Sequence, residues 1–176
     1  MKHPLHIPLL AALTVLLLAP DGFARRKNIP MAVGTRVHTE HSEYDDYPYV
    51  DDTWSYGLAY EYKEGNGMWQ VAINYADNVD VDPGEVEVDQ IITPALNLLF
   101  IDEEWIAGTG VLSSYVETDE DSDWTDIYWQ LMLGYAFTLG KVDLSLVAYF
   151  PYEDWGALFD FQTSDLEYGA WFHFTF

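Results

Sequence analysis

The chain has 176 residues and no cysteine, which excludes a disulfide framework, a thiolate metal site and a thiol nucleophile. Its 7 Lys and Arg face 30 Asp and Glu, a formal charge of −23, so phosphate binding through counterion release is excluded as a default, and nucleic acid with it. Apolar residues make up 49% and aromatics 16%, too many for an acidic disordered chain, so something must bury or coat those rings.

The chain opens with Lys2 and His3, an apolar run from Ile7 to Leu18, Pro20, and a small-residue exit at Gly22-Phe23-Ala24. That order is a secretory signal peptide, and the run falls short of the roughly 20 residues a membrane-crossing helix needs. Cleavage is expected after Ala24, leaving residues 25–176 as one exported domain.

From there on, period-two alternation replaces helical spacing. Strands are expected near Met31–Glu40, Thr53–Lys63, Met68–Ala76, Gln90–Phe100, Trp105–Val116, Asp126–Thr138, Val142–Phe150 and Leu166–Phe176. In the second of them Trp54, Tyr56, Leu58, Tyr60 and Tyr62 form one oily face, and Ser55, Gly57, Ala59, Glu61 and Lys63 the other. Trp69, Val71, Ile73 and Tyr75 repeat the rule against Gln70, Ala72, Asn74 and Ala76. Eight strands is an even number, and their length suits a tilted crossing of a hydrocarbon layer.

Three connections are tight, at residues 64–67, 101–104 and 139–141, and they alternate with long ones near residues 41–52, 77–89, 117–125 and 151–165. Short turns on one side and long loops on the other are the plan of bacterial barrels, with loops outside and termini in the periplasm. The fold expected is therefore all-β, an eight-stranded antiparallel up-and-down transmembrane β-barrel of a Gram-negative outer membrane. The rival is a soluble eight-stranded barrel or β-sandwich, which alternates equally well but would turn its rings inward.

The final strand, Tyr168-Gly169-Ala170-Trp171-Phe172-His173-Phe174-Thr175-Phe176, resembles the terminal strand signal of bacterial outer-membrane proteins. The whole plan is similar to small outer-membrane barrels of the attachment, opacity and OmpA-transmembrane type. That resemblance implies insertion by the barrel-assembly machinery through the strand that ends in Phe176.

Most of the acids fall in the long connections. Glu43, Asp45, Asp46, Asp51 and Asp52, or Asp119, Glu120, Asp121 and Asp123, could offer oxygen ligands to calcium or magnesium bridging the phosphates of lipopolysaccharide. The alternative is a set of solvated, mutually repelling loops. Residues 119–123 imitate the start of an EF-hand loop, with Trp124 at the glycine position and Gln130 at the bidentate-glutamate position.

His38 and His41 lie three residues apart on an alternating segment and so face opposite sides. His38, with Arg36 and Glu40, would point into the lumen as part of an internal ionic network, and His173 would do the same at the periplasmic end. Gly34, Gly57, Ala59, Ala72 and Gly134 leave space inside, and Ile91, Ile106, Leu112, Met132, Val147 and Tyr149 could line a slot for an acyl chain or simply fill a taper.

A second resemblance, to the lipid A palmitoyltransferase family, rests on Trp54-Ser55-Tyr56-Gly57, the turn before Trp69, Asp77-Asn78, Tyr149-Phe150-Pro151 and Ala170-Trp171. In that family a histidine after the first strand and an Asp-Ser pair after the third carry acyl transfer. The resemblance implies His38, Asp77 and Asn78 as the catalytic positions, although Asn78 stands where the serine belongs and residues 25–30 are too few for the family's N-terminal helix. Function is thus expected to be non-catalytic envelope or surface binding through the loops, with lipid A acyl-chain modification as the alternative.

Overall fold

The computed structural model describes residues 30–41, 47–79, 88–119, 121–140, 142–154, 156 and 161–175. The expected signal peptide and Phe176 lie outside them. The strands are β1 (Pro30–Val37), β2 (Trp54–Glu64), β3 (Gly67–Val79), β4 (Val88–Asp102), β5 (Trp105–Leu112), β6 (Tyr115–Thr118), β7 (Ser122–Trp124), β8 (Tyr128–Leu139), β9 (Val142–Tyr152) and β10 (Glu167–Thr175).

All pairings are antiparallel, and β10 pairs with β1 while β3 pairs with β4, so the sheet closes into an eight-walled ring without an open edge. The ten strands make eight walls because β6 continues β5 along β4, and β6 with β7 forms a hairpin standing above the ring. The break falls at Ser113 and Ser114, opposite Pro94. Pro94 has no N–H to give the ladder, which is why the partner strand is interrupted there.

The tight turns appear where expected, with Gly65 at φ 59° and Gly140 at φ 69°. Both angles lie in the left-handed region that glycine enters without a Cβ penalty. The turn between β4 and β5 places Glu103 at φ 54° instead.

The distribution of residues is that of a soluble protein turned inside out. Leu58 is 50% exposed while the adjacent Ala59 is 1% exposed, and the same contrast sets Trp69, Ile73, Leu98 and Leu133 outside against Gln70, Asn74, Asn97 and Gln130 inside. The rival soluble barrel is thereby excluded, since its large side chains would point inward.

Among the described residues the interior around Trp171 is filled by side chains. Trp171 lies across β1, where a Cβ on Gly34 would stand 2.5 Å from its ring and one on Gly57 equally close. Its indole Nε1 donates to the Tyr149 hydroxyl at 2.6 Å, and the Arg36 guanidinium sits 4.1 Å above the Tyr149 ring. Ile106, Met132, Val147 and Tyr149 do face inward, but the void they share with Gln70 and Trp171 is about 10 Å³. That holds a water at most, so the expected acyl slot is occupied by side chains.

Candidate functional site

Two polar clusters, one at each end of the lumen, are joined by a single file of side-chain amides. At the loop end, Glu167 opens β10 and is wholly buried. Its Oε2 accepts from Arg36 Nε at 2.5 Å and its Oε1 from the Tyr47 hydroxyl at 2.5 Å. His38 Nδ1 stands 2.8 Å from Oε2, and His41 Nε2 stands 3.3 Å from Oε1.

His38 and His41 therefore converge on one carboxylate instead of facing opposite sides. His38 keeps the inward parity of Ala32 and Arg36, its N donating to Thr53 O at 2.8 Å in continuation of the β1–β2 register, and the parity fails beyond it, where His41 is buried. Glu40 is exposed rather than lumenal for the same reason.

The first long loop thus folds back into the barrel mouth. The Tyr49 ring stacks on His38 at 3.5 Å, its hydroxyl meets Thr93 Oγ1 at 2.5 Å, and Tyr47 packs edge-on against Tyr128. Burial pushes the Tyr49 hydroxyl up to about 12 and the Tyr47 hydroxyl well above its ordinary range. Burial also lowers His38, against the opposing pull of Glu167.

From this cluster the file runs through the lumen. Arg36 Nη1 donates to Gln130 Oε1 (3.0 Å), Gln130 Nε2 to Asn97 Oδ1 (2.7 Å), Asn97 Nδ2 to Gln70 Oε1 (2.9 Å) and Gln70 Nε2 to Glu61 Oε1 (2.9 Å). Glu61 Oε2 meets His173 Nδ1 at 2.9 Å, and His173 Nε2 meets Ser145 Oγ at 2.7 Å. Each amide accepts from one neighbour and donates to the next, so buried charges at both ends stay partnered. The internal ionic network expected around Arg36, His38 and His173 is present, with Glu167 and Glu61 as its anions.

The remaining candidates stay outside this network. Asp77 is exposed and pairs in register with Gln90 on β4, while His38 turns to Glu167, Ser55 and Tyr49. Asn78 follows Asp77 on β3. Asp45 and Asp46 lie outside the described residues.

Asp51, Asp52, Asp119, Asp121 and Asp123 are all exposed. Asp51 accepts from Glu40 N at 2.9 Å, Asp121 from Ser122 N at 2.8 Å and Asp123 from Trp124 N at 2.7 Å, so these carboxylates cap their own loops. Among the described residues no group of three or more His, Cys, Asp or Glu is placed to hold a metal ion.

Sequence reading did not single out Glu167, Glu61, Ser145, Ser55 or Gln130 as a set. The signal was present in each strand, as the polar member of the inward-facing parity, but which strands are neighbours across the ring is a tertiary fact.

The sequence matches no family profile and no curated protein. Among solved structures, the crystal structure of Neisserial surface protein A (NspA) superposes with a TM-score of 0.52 at 12% identity, covering 85% of this chain and 97% of that one. The chain has the fold of a small outer-membrane β-barrel. Ail, the attachment invasion locus protein of Yersinia pestis, solved in complex with the heparin analogue sucrose octasulfate, is aligned at a TM-score of 0.38 and 13% identity over 83% of this chain and 93% of that one.

Proposed function

We propose that this barrel spans the outer membrane of a Gram-negative cell, exported by a cleaved signal peptide, with its long loops outside and both termini in the periplasm. The observation that carries the reading is the apolar outer wall around a polar, hydrogen-bonded lumen. In hydrocarbon each unpaired backbone amide costs several kcal/mol, and a closed ring of strands leaves none.

The loop end is a binding surface for the cell envelope. Asp51, Asp52, Asp119, Asp121 and Asp123 are solvent-exposed, and among the described residues no basic side chain pairs with them. Calcium or magnesium held loosely between these carboxylates and the phosphates of lipopolysaccharide would tie the rim to the outer leaflet. A surface partner would meet the same acidic, aromatic rim, and Phe176 would serve the barrel-assembly machinery.

The test is lipopolysaccharide binding by the detergent-purified protein at millimolar calcium. Binding should be lost on chelation and weakened in D119N/D121N/D123N. Binding indifferent to both would discard the cation-bridge reading while leaving the membrane reading to stand.

A further inference from the structure

We propose that Ser145, His173 and Glu61 form a nucleophilic triad that hydrolyses carboxylic esters admitted through the turn end of the barrel. The geometry is that of a charge relay. Glu61 Oε2 holds His173 Nδ1 at 2.9 Å, which fixes the tautomer and leaves Nε2, 2.7 Å from Ser145 Oγ, free to take the hydroxyl proton. Gln70 donates to the other Glu61 oxygen at 2.9 Å and so orients the carboxylate.

Three strands supply the three groups, and Ala32 lets them meet. In register, His173 on β10 lies beside Ala32 on β1, which lies beside Ala59 on β2, two residues from Glu61. Ala32 is small and buried, so the imidazole and the carboxylate reach each other across it.

The loop-end group of the same residue types is arranged differently. Ser55 meets His38 Nε2 at 2.8 Å, but Arg36 and Tyr47 already bind the Glu167 carboxylate, and Tyr49 covers the ring. Among the described residues, the turn-end group is the one of the two that borders an opening.

That opening is a recess of about 660 Å³ lined by Met68, Ile106, Phe137, Phe174, Glu61 and His173. Met68, Ile106 and His173 also bound the small void that Ser145 lines, so the serine lies one side chain behind the recess floor. Met68 is the flexible member of that floor. Among the described residues the rim carries Glu103, Glu104 and Asp143 against Lys63. The apolar lining makes the substrate class an ester of an apolar acyl group.

The reaction balances with water as co-reactant. Ser145 Oγ attacks the carbonyl carbon as its proton passes to His173 Nε2, whose positive charge Glu61 steadies. The alcohol leaves with that proton and the acyl group stays on Ser145. Water then attacks, its proton passing through His173 back to Ser145, and the acid departs.

Two measurements on the detergent-solubilised, folded barrel decide the matter. A fluorophosphonate probe should modify Ser145, read by peptide mass spectrometry, and fail in H173A. p-Nitrophenyl butyrate should be hydrolysed, with S145A and H173A each lowering turnover by about a thousandfold or more. E61Q should lower kcat by roughly tenfold or more with KM little changed, as expected of a residue that positions the base. An unmodified Ser145 in the folded wild-type barrel, or hydrolysis that survives S145A, overturns the proposal. The wild-type labelling needs no variant to fold, and neither outcome depends on what the loops bind.

Discussion

At the scale of single residues, the lumen shows how an acidic chain keeps charge inside a narrow barrel. Arg36 and Glu167 are both buried, and either alone would be left unpaired at a cost of several kcal/mol, about 3–5 when one partner of a buried pair is removed. Their contact is supported by Tyr47, His38, His41 and Gln130, so the carboxylate is saturated.

His38 makes this cluster sensitive to acid. Its folded value is lowered from the ordinary one, so as pH falls below about 6.5 the unfolded chain takes up a proton that folded His38 resists. The stability it contributes is complete above that pH and is lost as pH drops toward its folded value, at up to about 1.4 kcal/mol per pH unit. Urea unfolding in detergent micelles at stepped pH should show the midpoint falling on the acid side. H38Q, facing the same Arg36, His41, Tyr47, Tyr49, Ser55 and Glu167, should fall less.

At the scale of elements, register and residue size act together. Gly34 on β1, Gly57 on β2 and Trp171 on β10 form one packing unit, because the indole occupies the space two missing side chains leave. A methyl at Gly34 would meet ring carbon and the Ala170 carbonyl at 2.5 and 2.6 Å, and the Ala170 contact is backbone that cannot swing away. G34A should therefore destabilise by about 1–3 kcal/mol, the usual cost of overpacking, measured by the same unfolding experiment. W171L should relieve part of it, since the ring contact goes and the carbonyl contact remains.

The strand boundaries illustrate the limit of pattern at this scale. Alternation placed the eight walls and the tight turns at Gly65 and Gly140 correctly. It carried β1 on to Glu40, where the structure stops it at Val37: His38 still stands opposite Thr53, but Glu40 is exposed and His41 turns in to Glu167. It also missed that β5 breaks at Ser113 and Ser114 opposite Pro94, a cross-strand effect that no single strand displays.

At the scale of the whole molecule, the outer wall decides the medium. Leu133 is 58% exposed on β8, near the middle of its wall. L133R should cost about 2–4 kcal/mol in a bilayer, the range for a basic residue at the midplane of a barrel's lipid face, and close to nothing in a water-soluble barrel. Folding yield into lipid vesicles, compared between the variant and wild type, reads the difference.

The sequence by itself determined the class, the number of walls, the side of the sheet that residues within the strands occupy and the alternation of tight turns with long loops. Those properties follow from period two and turn chemistry, which are local. Tertiary structure alone decided that Glu167 gathers Arg36, His38, His41 and Tyr47, that Glu61 and Ser145 meet at His173, and that Trp171 fills the lumen. Those pairings join residues up to 131 positions apart, and only ring closure brings β10 against β1 and sets which inward-facing groups touch.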